Sequence, residues 1–154
     1  MNVDLPDEAA TIGLAEQLYA LLPEDVSGWT VLLEGELGAG KSTFARALIR
    51  AMGHEGPVPS PTYTLVEPYQ LSGKTIYHID LYRISVEEEL RYLGWSELDD
   101  GLRLVEWPQR APQLGAQADL LFRLDYRGTG RRVEVVGLSA RGQILVERLA
   151  AAMN

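Results

Sequence analysis

Residues 35–42 contain Gly35-x4-Gly40-Lys41-Ser42, which is the spacing of the Walker A phosphate-binding loop. Glycines at these places let the backbone curl so that successive N–H groups point towards a phosphate. The lysine reaches the β- and γ-phosphates as a point charge, and the hydroxyl after it binds a phosphate-bound Mg²⁺. The spacing therefore predicts a site for a nucleoside triphosphate. Its predicted ligand residues are Leu37, Gly38, Ala39, Gly40, Lys41, Ser42 and Thr43.

Two carboxylates each end a predicted strand. Asp80 ends Thr75–Asp80, and Glu106 ends Leu102–Glu106. Ligands of open α/β sheets bind at the carboxyl ends of parallel strands, so either residue suits the Walker B role. One could bind Mg²⁺ and the other could orient water, and the residues alone do not divide these roles. The predicted catalytic residues are Lys41, Asp80 and Glu106, and the predicted metal ligands are Ser42, Asp80 and Glu106.

His78 lies two residues before Asp80, and the period of a strand places both side chains on one face. A histidine in this position is more often structural than catalytic. We therefore expect a satisfied structural histidine at this position, with a catalytic histidine as the alternative.

Three hydroxyl residues, Ser60, Thr62 and Thr64, follow the Walker A helix in the chain. Nucleotide-sensing switch loops lie at this place in many nucleotide-binding proteins. The alternative is a turn that leads into a strand at Thr62–Val66, and turn chemistry alone favours this alternative.

The phosphate loop needs a strand before it and a helix after it, and both are predicted. Trp29–Leu33 is apolar and β-branched, as a buried parallel strand requires. Good helix formers then continue to about Met52. An earlier helix is predicted over residues 7–22, because leucines recur there at helical spacing after Pro6.

The rest of the chain reads as further strands, turns and helices. A hairpin turn is predicted at Leu71–Lys74, and an S-x-x-E capping box at Ser85–Glu88 opens a short helix. Ala111–Ala118 is a predicted loop. The remaining predicted elements are strands at Leu120–Tyr126 and Arg132–Val136, a turn at Arg127–Arg131 and a closing helix at Ser139–Ala152 whose start Gly142 weakens.

Composition narrows the class of protein. A chain of 154 residues predicts a single domain, here 1–154, and no cysteine means no disulfide, thiolate metal site or cysteine nucleophile. The acidic start has no apolar core and no apolar run is long enough for a membrane span, so we expect a cytoplasmic protein. The net charge of −8 argues against tight direct binding of nucleic acid.

Three classes of nucleotide protein compete, and residues exclude one of them. The only asparagines are Asn2 and Asn154, so the Asn-Lys-x-Asp motif of GTPases is absent. Residues 81–83 after Asp80 also depart from the GTPase Asp-x-x-Gly signature. A small-molecule kinase remains as an alternative because the arginines of 127–132 could form a lid, although little length is left for an acceptor pocket. The residues alone therefore leave two candidates, an ATPase that acts on partner proteins and a small-molecule kinase, and a search for phosphorylated products would decide between them.

Four motifs occur together in this chain. They are Gly35-Glu36-Leu37-Gly38-Ala39-Gly40-Lys41-Ser42-Thr43, Ser60-Pro61-Thr62-Tyr63-Thr64-Leu65-Val66, His78-Ile79-Asp80-Leu81-Tyr82-Arg83 and Leu104-Val105-Glu106-Trp107-Pro108. In this combination the chain resembles the TsaE family, and the resemblance covers nearly its whole length. Ser42 stands where the family commonly has threonine, and either hydroxyl can bind Mg²⁺.

The resemblance implies a P-loop α/β fold of three layers, with a mainly parallel sheet and added antiparallel strands. It implies an ATPase of tRNA threonylcarbamoyladenosine biosynthesis that uses ATP and Mg²⁺, acts on a TsaB–TsaD complex and is weak without it. Contact with tRNA would be indirect, and the oligomeric state stays open. Among site residues, it implies that Glu106 is the better Mg²⁺ partner. The further implied contacts are Thr62 and Thr64 at the γ-phosphate, Trp107 in the site wall, and Glu8, Thr11, Gly130 and Arg131 near the base or sugar.

Overall fold

The computed structural model describes residues 1–85 and 88–153, in which seven strands form one sheet. These strands are β1 (Asn2–Leu5), β2 (Thr30–Gly35), β3 (Val66–Leu71), β4 (Lys74–Asp80), β5 (Leu102–Glu106), β6 (Leu120–Arg127) and β7 (Gly130–Gly137). Their order across the sheet is β1-β7-β6-β2-β5-β4-β3. The four central strands, β6, β2, β5 and β4, are parallel, and antiparallel pairs complete both sides.

Helices cover both faces of this sheet. The described α-helices are α1 (Glu8–Leu21), α2 (Lys41–Ala51), α3 (Glu89–Tyr92) and α4 (Ala140–Ala152). One core lies between the sheet and α1, α2 and α4, and it contains Leu18, Phe44 and Leu145. A second core on the opposite face contains Leu90 of α3 and Leu114 of a 3₁₀ turn at Pro112–Ala116. The predicted three-layer α/β fold is therefore confirmed. Within the described residues, no helix is both long and apolar enough to cross a membrane.

The central strands bring the predicted chemistry to one edge of the sheet. Asp80 pairs with Glu106 in the parallel register of β4 and β5, and Glu106 also pairs with Leu33 of β2. The phosphate loop begins where β2 ends, at Gly35. The parallel register therefore places the loop and both carboxylates side by side, as ligand sites of open α/β sheets require.

The strand predicted at Thr62–Val66 is wrong, because residues 61–64 form a turn and β3 begins only at Val66. The N–H of Leu65 donates to the carbonyl of Pro61 at 2.7 Å, and Leu65 adopts a left-handed φ of 71°. Its carbonyl then accepts from the N–H of Asp80 at 3.0 Å. These residues favour a strand by propensity, but the two hydrogen bonds stabilise a turn and attach it to the end of β4.

Two further differences concern strands. β1 was not predicted, and it pairs with β7 at the sheet edge, so the acidic start of the chain is ordered by a distant strand. The predicted five-residue turn at Arg127–Arg131 is shorter in the structure, because Arg127 and Gly130 already form a strand pair. The capping box at Ser85–Glu88 includes Val86 and Glu87, which lie outside the described residues.

Gly142 supports the start of α4 instead of weakening it. Its N–H donates to the hydroxyl of Ser139, which caps the helix, at 3.0 Å. A side chain at Gly142 would collide with the backbone carbonyl of Asp119. The absence of a Cβ is what lets α4 approach the start of β6 so closely.

Candidate nucleotide-binding site

A cavity of about 430 Å³ opens at the carboxyl ends of β2, β4 and β5, and we call it the Walker A cavity. It brings together most of the predicted site residues. Those that line it are Glu8, Thr11, Leu37, Gly38, Gly40, Lys41, Ser42, Thr43, Thr62, Asp80, Glu106, Trp107, Gly130 and Arg131. Two predicted residues do not line it. Ala39 is fully buried and its N–H donates to the carbonyl of Glu36, and Thr64 is exposed outside the cavity.

The phosphate loop depends on glycine at three places. Gly38 and Gly40 have φ values of 78° and 110°, which side chains rarely tolerate. A Cβ at Gly35 would lie 2.6 Å from the carbonyl oxygen of Leu124. Gly40 is also the residue before α2 and makes no side-chain cap, so the first N–H groups of the helix remain available to an anion.

Lys41 lies folded against its own loop. Its ammonium donates to the carbonyl of Glu36 at 2.8 Å and also to that of Gly35, and it lies 4.3 Å from the ring centroid of Trp107. Burial lowers the pKa of Lys41, while the charges of Glu106, Asp80 and Glu36 oppose this shift. The ammonium therefore lies between the loop backbone and the carboxylates, where a phosphate could replace the backbone carbonyls as its partner.

Glu106 is almost fully buried and its two carboxylate oxygens have different partners. Oε1 accepts from the hydroxyl of Ser42 at 3.0 Å, and Oε2 lies 2.6 Å from Nε2 of His78. The described residues contain no cluster of three or more histidine, aspartate or glutamate side chains that could hold a metal by itself. A hydroxyl and a carboxylate side by side nevertheless fit Mg²⁺, which takes few protein oxygens and completes its shell with phosphates and water.

Asp80 connects the turn at residues 61–64 to the site. Its carboxylate accepts from the backbone N–H of Tyr82 at 2.9 Å and from the hydroxyl of Thr62 at 3.1 Å. The hydroxyls of Thr62 and Ser60 lie 2.7 Å apart. Burial raises the pKa of Asp80, and the hydrogen bonds from Tyr82 and Thr62 work against that increase. The Thr62 contact thus couples the position of the turn to the state of this carboxylate.

The hairpin of β6 and β7 holds the tip of the phosphate loop. The hydroxyl of Tyr126 donates to the carbonyl of Leu37 at 2.6 Å, and the guanidinium of Arg131 donates to that of Gly38 at 3.0 Å. The guanidinium also lies 4.4 Å from the ring centroid of Tyr126. These two hydrogen bonds fix the Leu37 and Gly38 carbonyls to the hairpin and so help to hold the loop in a shape that can bind a phosphate.

Sequence reasoning missed several residues of the cavity. Tyr82, whose ring centroid lies 4.9 Å from that of Trp107, stands within the motif at His78–Arg83 and could have been found there. Tyr126 lies outside the cavity lining but contacts the phosphate loop, and it gave no local signal because Leu37, its partner, is far away in the sequence. The other lining residues that were missed are Leu5, Asp7 and Thr129, each close in sequence to a predicted site residue. Ser60, one of the three hydroxyl residues considered for a switch loop, also lines the cavity.

Comparisons with known proteins agree on one family. A model of the family described as "Threonylcarbamoyl adenosine biosynthesis protein TsaE" matches residues 5–133. A protein of Haemophilus influenzae named tRNA threonylcarbamoyladenosine biosynthesis protein TsaE is 36% identical over 146 residues, which cover 92% of either chain. Proteins of the same name from Synechocystis and Borreliella burgdorferi are 38% and 34% identical, over 76% and 89% of this chain.

The fold is also similar to a solved structure. The crystal structure of Bacillus subtilus YdiB superposes with a TM-score of 0.81 and is 25% identical in sequence. The match covers 100% of this chain and 96% of that one. The likeness in fold therefore extends over the whole length of this chain.

Proposed function

Since the chain belongs to the TsaE family of tRNA threonylcarbamoyladenosine biosynthesis proteins, we propose that it is the component of this pathway that binds and hydrolyses ATP with Mg²⁺. The matches to the family model and to the named relatives confirm the resemblance drawn from the four motifs. The comparisons give no support to a small-molecule kinase, because the relatives that match most of the chain bear the name of the tRNA modification. The observation that carries the proposal is that Lys41, Ser42 and Glu106 all line one cavity.

Each group at the bottom of the cavity has a proposed role. The loop N–H groups and Lys41 bind the β- and γ-phosphates and offset their charge. Ser42 and Glu106 hold Mg²⁺, which neutralises charge on the phosphates when it is bound. The carboxylate of Asp80 accepts hydrogen bonds from Thr62 and Tyr82, so we propose that it would hold the metal through water and orient the attacking water.

The walls of the cavity receive the rest of the nucleotide. Thr62 reaches the γ-phosphate side, and we prefer it to Thr64, which is exposed outside the cavity. Trp107 covers the phosphate end, where its ring already lies over the ammonium of Lys41. Glu8, Thr11, Gly130 and Arg131 lie on the opposite wall and are the proposed contacts of the base or sugar.

The partner in this proposal is the TsaB–TsaD complex, and tRNA is contacted only through it. A net charge of −8 supports indirect contact, because phosphate backbones repel an acidic surface. ATP binding docks the chain on the complex, and hydrolysis releases it. The proposal places the chain in the cytoplasm and treats residues 1–154 as one domain, since the strands described belong to one sheet.

The test is phosphate release from ATP, measured with and without a TsaB–TsaD complex and with Mg²⁺ or EDTA. We expect slow release by the chain alone, strong stimulation by the complex and none in EDTA. A non-hydrolysable ATP analogue should also favour the ternary complex over ADP, because a nucleotide shifts docking only through different affinities for the two states. The proposed cycle is contradicted if the chain docks equally well with the ATP analogue and with ADP. It is also contradicted if the complex does not change the rate of phosphate release.

Tyr126→Phe tests how the hairpin supports the phosphate loop. The change removes the hydroxyl that donates to Leu37 and keeps the ring beneath Arg131. A hydrogen bond contributes about 0.5–1.5 kcal/mol, so ATP affinity should fall roughly 2- to 12-fold in calorimetry. Tyr92→Phe, at a tyrosine that is 89% exposed, is the matched control and should bind like the wild type. An unchanged affinity for Tyr126→Phe means that the loop keeps its shape without this bond.

A further inference from the structure

His78 is a buried polar side chain to which the proposed mechanism gives no role. It is 1% exposed and lies on the α2 face of β4, two residues before Asp80. Its Nε2 lies 2.6 Å from Oε2 of Glu106. Its other ring nitrogen, Nδ1, has no hydrogen-bond partner in the part of the chain that the structure describes.

Packing alone does not explain a histidine at this position. The neighbours on the same face, Ile76 on β4 and Leu104 on β5, are fully buried and apolar. An apolar side chain would therefore suit the site of His78, whereas a buried nitrogen without a partner costs free energy. The contact with Glu106 is what the histidine adds.

The contact determines how the Glu106 carboxylate is held. A carboxylate only accepts hydrogen bonds, so Nε2 of His78 is the donor to Oε2. The other oxygen, Oε1, accepts from Ser42 of α2 at 3.0 Å. The carboxylate is thus fixed from the sheet on one side and from the helix on the other, and the pair of oxygens proposed to hold Mg²⁺ is set in place.

We propose that His78 is a positioning residue that orients Glu106 towards Ser42 and so couples Mg²⁺ to nucleotide binding, an inference that rests on the proposed function. It acts from behind the carboxylate and touches neither metal nor phosphate. Partners of this kind commonly change metal affinity or activity by about 10- to 100-fold when they are replaced.

The test compares His78→Leu with His78→Gln by calorimetric titration of ATP, once in EDTA and once in excess Mg²⁺. Leucine fills the apolar position and removes the donor, whereas glutamine offers an amide N–H in place of Nε2. We expect the gain in ATP affinity that Mg²⁺ gives to the wild type to fall about 10-fold in His78→Leu. Affinity in EDTA should stay within about twofold of the wild type, and His78→Gln should recover most of the gain.

The remaining outcomes separate the inference from the function beneath it. A His78→Leu chain that keeps the full Mg²⁺ gain overturns the inference alone, while a wild-type chain that does not bind ATP overturns the proposed function as well. If His78→Leu does not fold, the test rests on the folded His78→Gln chain. Loss of the Mg²⁺-dependent gain in ATP affinity in His78→Gln also overturns the inference. His54→Ala changes the other histidine, which contacts Pro57, and should leave both affinities unchanged.

Discussion

Replacing Lys41 with alanine should weaken ATP binding by about 10- to 150-fold and abolish phosphate release. Hydrogen bonds to charged groups contribute about 1.5–3 kcal/mol, and this range of free energy corresponds to that range of affinity. In the structure the ammonium of Lys41 donates to a carbonyl of the phosphate loop and lies over the ring of Trp107. When a nucleotide binds, we expect a phosphate to replace that carbonyl as the partner of the ammonium. Calorimetry with ATP and a phosphate-release assay measure the two effects.

The fold should survive this change, because the ammonium of Lys41 donates only to carbonyls of its own loop in these contacts. Burial also lowers the pKa of Lys41, which means that the charged form is not favoured by its surroundings. A thermal melt close to that of the wild type is the expected result. Lys74→Ala is the matched control, since Lys74 is the other lysine of the chain and lies near Tyr19 instead of the cavity. Wild-type ATP affinity in Lys41→Ala would mean that residues 35–42 do not bind phosphate.

Asp119→Ala should lower the free energy of unfolding by about 2–4 kcal/mol, measured by chemical denaturation. Removing one partner of a buried ion pair costs about 3–5 kcal/mol, and we reduce this range because the side chain of Arg141 is 48% exposed. Asp119 is 3% exposed and accepts from the N–H of Thr30, the hydroxyl of Ser139 and the guanidinium of Arg141. It thereby joins the starts of β2, β6 and α4.

The same carboxylate predicts how stability depends on pH. Burial raises the pKa of Asp119, but the hydrogen bonds from Arg141, Thr30 and Ser139 outweigh it, and the net shift is downward. A lowered pKa stabilises the folded state above the unfolded value of about 3.9, and this stabilisation is lost as the pH falls through the folded pKa. The difference between wild type and Asp119→Ala should therefore be constant near neutral pH and shrink below about pH 4.

Asp125→Ala provides the control for this series, because Asp125 is an exposed carboxylate on β6, the strand that begins directly after Asp119. Its unfolding curve should match that of the wild type at every pH. A difference between wild type and Asp119→Ala that persists unchanged at low pH would show that lost packing, and not the carboxylate charge, causes the destabilisation.

The sequence predicted the parts of the site that depend on local chemistry. The phosphate loop, its flanking strand and helix, and the two strands ending in Asp80 and Glu106 follow from glycine spacing and apolar runs. These signals are strong because a P-loop needs each of them close together in the chain. The same locality explains why the hairpin turn at Leu71–Lys74 was found.

The parts that were missed depend on contacts between distant residues. Thr62 has strand propensity, but its hydroxyl bonds to Asp80 and the chain turns there. Tyr126 and His78 act on Leu37 and Glu106 through pairings that only the assembled sheet creates. Gly142 predicts a weak helix start by propensity, but glycine is needed there because the backbone of Asp119 packs against it. Period and propensity carry no information about such neighbours.

The pairing of β1 with β7 also sets an order of events during synthesis. Leu5 and Gly130 both line the Walker A cavity, and β1 reaches its register only through residues 131–134 of β7. A ribosome releases β1 and the residues of the phosphate loop long before β7, so this wall of the cavity stays unformed until the hairpin has been synthesised. The nascent chain thus becomes able to hold a whole nucleotide only after the hairpin has emerged. A nucleotide that binds in this cavity would therefore stabilise the finished fold and not its precursors.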